Sequence, residues 1–281
     1  MTRQGTAELF ETLLLLGEAN AFCSVLGEEI PKVLLGLVPQ RPTFTEPQKT
    51  VHLLVERAAV WMKSMSKLDG WTDYQAHSAG CRAMLELAVD VALVASEPEL
   101  ATRMWAFEES AKLKSCNRYR AFALKTNKAN PDPTKMTFGS RNEAAVKALR
   151  RQHWGTEDHP RTWFGKAFEQ MAREADRRVG SDYEATYASR YDELCWGTHG
   201  STIAMIRPAG LPAHFIPAIA CAAVGESSRL ALDLTERGAA FLGLDGGAAC
   251  RDLFAKMQAA REHYRATHSS TLGAPGSTPP R

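Results

Sequence analysis

The amino-acid sequence predicts an all-α, multi-helix bundle, and three observations carry that prediction. Apolar residues recur at three- and four-residue steps along nearly the whole chain, the period of one helix face. Alternating runs rich in Val, Ile and Thr between turn residues, the mark of strands, are hard to find. The breaks between periodic stretches are short, so successive helices are expected to fold back antiparallel on one another.

The first helix is expected from Thr6 to Ile30, ended by Pro31, with a short apolar piece, residues 32–42, closed by two prolines. A second opens at Thr45, an N-cap residue with Pro47 in the first turn, and runs to the Asp69-Gly70 turn. The third starts at Thr72 or Asp73 and ends before Glu97-Pro98; the fourth covers residues 98–125 and is basic in its second half. Between Thr126 and Arg161 the composition turns to Pro, Gly, Asn and Ser around a short basic helix, residues 140–153, which predicts a turn-rich insertion or lid. Helicity is expected again from Trp163 to Arg178, and after Val179-Gly180 from a cap at Ser181 or Asp182 to His199. A loop then leads to a long helix, residues 215–238, and a last one, Ala248 to Thr267. One all-α domain over residues 1–267 is expected, with a Ser/Pro/Gly-rich tail, 268–281, of disordered composition. No repeat of fixed period is found.

With 44% hydrophobic residues in 281, the chain needs no disulfide or metal to build a core. Its 34 basic and 32 acidic side chains leave a net charge of +2, so composition alone gives no polyelectrolyte argument for nucleic acid. The six cysteines, at 23, 81, 116, 195, 221 and 250, show neither a CxxC pair nor zinc-site spacing, and read as reduced small hydrophobes. Glu8, Glu11 and Glu18 interrupt the apolar N-terminal run, and no segment reaches about 18 uninterrupted apolar residues. A soluble, cytoplasmic protein without membrane association is expected.

Chemistry-bearing residues gather on two predicted helices. Tyr191, Cys195 and His199 fall at i, i+4 and i+8 and share one face. On the third helix Arg82 and Glu86, also four apart, stand among Cys81, Met84, Leu85, Leu87, Val89 and Val91. A charged pair in apolar lining needs partners. Two readings stand side by side. In one, Arg82 binds an anion such as phosphate, while His199 acts as acid or base and Glu86 positions one of them. In the other, the set fixes helix register and His199 caps a helix C-terminus.

The Arg82-x-x-x-Glu86 helix, Trp163 opening a later one, and the ending Tyr191, Leu194, His199 together resemble the DUF5677 family of uncharacterised bacterial helical proteins, over about residues 50–235. Cys195 stands where that family usually has serine, which weakens any role needing a hydroxyl there. The resemblance implies a helical layout similar to HEPN-type domains, many of which cleave RNA without metal in toxin-antitoxin and phage-defence systems. A pocket is expected between the third helix and the helix ending at His199, lined by Tyr191, Cys195 and Trp163. No Arg-x4-6-His, the signature of those nucleases, stands on the predicted His199 helix: Arg190 precedes His199 by nine positions. The likeness to them is therefore one of fold.

The most basic stretch runs from Lys112 to Arg120, with Lys125, Lys128, Lys135, Arg141, Lys147, Arg150 and Arg151, and interleaves Tyr119, Phe122, Phe138 and Trp154. If RNA is the substrate, Arg118, Arg120, Lys125, Arg150 and Arg151 are the residues expected to contact it. The alternative is a solvated face in which Lys112 and Arg118 pair with Glu108 and Glu109. No metal and no cofactor is expected: His52/Glu56 and Glu157/His159 are isolated pairs, and Gly243 to Gly247 is a turn. A thiol mechanism at Cys195 would need His199 as its base. RNA or a protein partner, a second copy of the chain included, are the expected partners.

Overall fold

The structure is a computed structural model that describes residues 3–37, 43–68, 73–191 and 215–272. Those residues are helical throughout apart from turns, with no strand among them. Nine helices follow in chain order among the described residues: α1 (Arg3–Leu35), α2 (Glu46–Met65), α3 (Tyr74–Ser96), α4 (Leu100–Lys125), α5 (Pro133–Trp154), α6 (Phe168–Val179), α7 (Tyr183–Thr186), α8 (Phe215–Phe241) and α9 (Gly246–Leu272). A π-helical turn, Tyr187–Tyr191, extends α7.

Helix α3 is the centre. Its residues Met84, Leu85, Ala88, Val89, Val91, Ala92, Leu93 and Val94 are fully buried, because α8, α2 and α6 cover it on several sides. Helix α8 is long and apolar enough to cross a membrane, and half of its most apolar stretch is buried inside this bundle against α3 and α1. A glycine permits one close helix crossing. A Cβ on Gly238 would lie 2.5 Å from Val55 Cγ2, so the residue expected to end α8 instead lets α8 press on α2.

Several boundaries differ from expectation for identifiable reasons. Helix α1 continues a turn past Pro31. A proline inside a helix costs about 3 kcal/mol through its missing N–H bond. Ile30, Leu34 and Leu37, all buried, offset that loss, since each such side chain contributes about 1.5–3 kcal/mol on burial. At α2 the expected Thr45 cap is present as a reciprocal capping box, with Thr45 N–H donating to Gln48 Oε1 at 3.0 Å.

The turn-rich insertion keeps its turns at 126–132 and 155–161, but the helix between them is longer than predicted. Asp132 Oδ1 accepts the N–H groups of Thr134 and Lys135 at 2.9 and 3.2 Å, Pro133 fills the first helical position, and Gly155 closes α5 in the left-handed conformation (φ 68°). Helices α4 and α5 thus form an antiparallel hairpin beside the bundle.

Trp163 does not open a helix. The segment 161–167 is a tight turn in which Thr162 Oγ1 donates to the Lys166 carbonyl (2.6 Å) and accepts the N–H of Gly165 (3.2 Å, φ 81°). Helix α6 begins only at Phe168. The start of α7 is capped by Asp176 of the preceding helix, which accepts the N–H groups of Tyr183 and Glu184 at 2.8 and 2.7 Å. Neither Ser181 nor Asp182 caps it; Asp182 is instead held by Arg229 at 2.9 Å.

Candidate functional site

Helix α3 presents three charged side chains at successive turns: Arg82, Glu86 and Asp90. That spacing places them in one row along the helix, flanked by α6, the π-helical turn and the loop carrying Trp163. Arg82 Nε donates to Glu86 Oε1 at 3.0 Å. The Tyr191 hydroxyl donates to the same oxygen at 3.2 Å, and the Arg82 guanidinium lies 5.0 Å from the centre of the Tyr191 ring. Phe168 stacks on Tyr191 at 5.4 Å and Tyr187 packs tilted against it at 4.5 Å, which fixes the ring over the charged pair. The arrangement stays open to solvent: Arg82 and Glu86 side chains are 29% and 42% exposed.

One turn further on, Trp163 Nε1–H donates to Asp90 Oδ1 at 2.7 Å. Asp90 keeps some exposure as a residue, but its carboxyl is in the packed interior, and burial pushes it up to about 7, with the Glu86 charge adding to the effect. The Trp163 bond and the Arg57 charge oppose the rise. Asp90 therefore changes charge near neutral pH in contact with a tryptophan whose loop is itself pinned, since Trp154 Nε1–H donates to the Trp163 carbonyl at 3.1 Å. Sequence reading missed Asp90. The signal was present, because 82, 86 and 90 continue one helical row.

Of the residues expected to build the pocket, Arg82, Glu86 and Tyr191 meet directly, and Trp163 lies one turn along the same row through Asp90. His199, Cys195 and Leu194 lie outside the described residues. The π-helical turn holds Tyr191 at its last position.

The expected nucleic-acid contacts divide. Arg118, Arg120 and Lys125 are exposed on α4. Arg150 is only 7% exposed and faces inward: Nε donates to Ser110 Oγ at 2.7 Å, one terminal nitrogen to the Ser110 carbonyl at 3.2 Å, and the other to the Glu157 carbonyl at 2.8 Å. It joins α4, α5 and the following loop, and is not available to a surface ligand. Arg151 is exposed but paired with Glu157. Arg118 does not pair with Glu108 or Glu109 as the alternative supposed; Lys112 takes Glu109, at 3.9 Å.

The buried thiols of Cys23 and Cys81 are pushed up to about 12 by burial, which makes them unreactive near neutral pH. His52 and Glu56 stand 3.6 Å apart.

A family model described as a family of unknown function, DUF5677, matches residues 52–209. No curated protein and no solved structure matches the chain.

Proposed function

Because the chain belongs to the DUF5677 family of unknown function, we propose, going beyond that membership, that it is a metal-independent RNA-cleaving effector of a bacterial toxin or defence system, acting at the α3 row. The observation that carries this reading is the contact of Tyr191 with both Arg82 and Glu86 across an ion pair that solvent still reaches. Tyr191 precedes His199 by eight residues in the sequence. In this reading His199 removes the proton from a ribose 2′-hydroxyl, the 2′-oxygen attacks phosphorus, and the 5′-oxygen leaves with a returned proton, giving a cyclic phosphate and a 5′-hydroxyl end. Arg82 binds the phosphate and opposes the charge that develops on it. Glu86 orients Arg82 through its 3.0 Å bond.

The test is incubation of purified protein with total RNA, wild type against His199→Ala, with both proteins melted alongside. The expected outcome is cleavage by the wild type, lost on substitution with the melting temperature kept. Cleavage that survives the substitution contradicts the proposal.

A second reading is a non-enzymatic helical module that binds another protein or a second copy. It is favoured by the way Arg82, Glu86 and Tyr191 satisfy one another within the fold. It predicts inert wild type and variant, with His199→Ala lowering the melting temperature.

A further inference from the structure

Outside the α3 row, one surface joins charge, an aromatic and a fixed histidine. Between Glu109 and Asp132 the sequence has six basic residues, Lys112, Lys114, Arg118, Arg120, Lys125 and Lys128, and no acidic one. Lys112 lies 4.5 Å over Phe138 and pairs with Glu109, and Lys128 rests on Tyr119. Lys114, Arg118 and Lys125 are exposed and carry no ion pair among the described residues. Their spacing of four and seven places them on one face of α4 with Phe107, between Phe122 at one edge and the buried Ser110 at the other. Phe122 is 57% exposed there, an aromatic ring with no burial to explain it.

The upper end of this face is closed by His159, which arrives from the loop after α5. Its ring stacks on Phe107 at 5.1 Å, and its Nδ1 lies 2.7 Å from Ser110 Oγ. The same hydroxyl accepts from Arg150 Nε at 2.7 Å, which holds it in place beside the ring. With Ser110 as the donor to Nδ1, the neutral imidazole carries its proton on Nε2 and can itself donate. Burial and then the positive charges of Lys114, Arg150 and Arg118 hold the ring below its ordinary value. Four residues after His159 the same loop delivers Trp163 to Asp90, so the face ends beside the α3 row. Four residues of chain span at most about 14 Å.

We propose that single-stranded RNA binds along the outer face of α4, its phosphates held by Lys114, Arg118, Lys125 and His159 Nε2–H and a base stacked on Phe122. The proposal rests on the RNA reading above and names where that substrate lies. Lys114 and Lys125 are about 16 Å apart along the helix, long enough for several nucleotides of an extended strand. An exposed ring between cations is the arrangement that grips single strands without reading their sequence.

The experiment is fluorescence anisotropy of the full chain with an end-labelled twelve-nucleotide single-stranded RNA of mixed sequence, at 50 to 200 mM salt. Three phosphates neutralised by cations give a logarithmic salt slope of about −2.1, a loss of roughly 18-fold over that range. Lys114→Gln/Arg118→Gln leaves one, a slope of about −0.7 and a loss under about threefold. Phe122→Ala weakens binding at least about fivefold with the slope unchanged. Lys49→Gln/Lys63→Gln removes the same charge from exposed sites on α2 and leaves both affinity and slope as in the wild type. Equal weakening by the α2 pair, a slope that the α4 pair leaves alone, or equal affinity for polyglutamate of the same length overturns the proposal. RNA that is bound in the stated way but never cut upholds the α4 site and removes the cleavage reading. RNA cut by the wild type and by Lys114→Gln/Arg118→Gln at the same subsaturating rate removes the α4 site alone.

Discussion

Replacing Asp90 with asparagine isolates the buried carboxyl beneath Trp163. Asparagine keeps an oxygen to accept the Trp163 N–H but cannot ionise. In the folded protein burial raises the Asp90 carboxyl from 3.8 to about 7. The fold therefore favours the protonated form, and the sign follows from linkage. Below about pH 4 the group is neutral in both folded and unfolded chains and costs nothing. As pH rises through 4 to 7 the unfolded chain loses its proton first, and stability falls; above about 7 the loss is complete. A rise from 3.8 to about 7 is about three decades at 1.36 kcal/mol each, a ceiling on the order of 4 kcal/mol, and relaxation of the site brings the expectation to about 2 kcal/mol. The assay is urea unfolding of wild type and Asp90→Asn at pH 4.5, 6, 7 and 8, with linear extrapolation. The variant should match the wild type to within about 1 kcal/mol at pH 4.5 and exceed it by about 2 kcal/mol at pH 8. Glu86→Gln, which removes a charge that raises Asp90, should shrink that pH-dependent gap. A stability difference that is the same at every pH would mean that the Asp90 carboxyl carries no raised affinity for its proton in the folded protein.

Two further substitutions probe the frame. Arg150→Ala removes the link between Ser110, His159 and the Glu157 carbonyl, and should cost about 2–3 kcal/mol by chemical denaturation, because buried groups on α4 lose their partner; its effect on the RNA salt slope should be nil, in contrast to Arg118. Gly238→Ala forces a methyl to 2.5 Å from Val55 Cγ2 and should cost about 1–3 kcal/mol, read as a lower urea midpoint. Adding Val55→Ala should recover part of that loss.

The helical class and most helix positions were legible because burial follows the 3.6-residue period, and α2 was legible to its cap because Thr45 and Gln48 carry the capping chemistry in their side chains. What sequence reading misjudged has a common cause, tertiary contact overriding local chemistry. Pro31 and Gly238 read as stops, but packing of Ile30 and Leu34 carries α1 onward, and Gly238 serves a close helix crossing. The Pro133 segment read as turn, although proline at a first helical position beside an Asp cap is a start signal. At the site, the Arg82–Glu86 pair follows from four-residue spacing. Its meeting with Tyr191, and that of Asp90 with Trp163, spans 105 and 73 residues of chain and had no local signal. Arg150 looked like surface charge in a basic run; only the fold shows it turned inward onto Ser110.

Arg82 is the group on which the proposed chemistry turns. The decisive measurement is the single-turnover cleavage rate of a labelled single-stranded RNA in the presence of a metal chelator, for wild type, Arg82→Ala and Arg82→Lys. Cleavage by the wild type is expected, with a loss of at least about a hundredfold in Arg82→Ala from the missing charge on the phosphate, and partial recovery in Arg82→Lys, all three melting within a few degrees. Equal rates for wild type and Arg82→Ala, or no cleavage by any of them, would contradict the proposed chemistry.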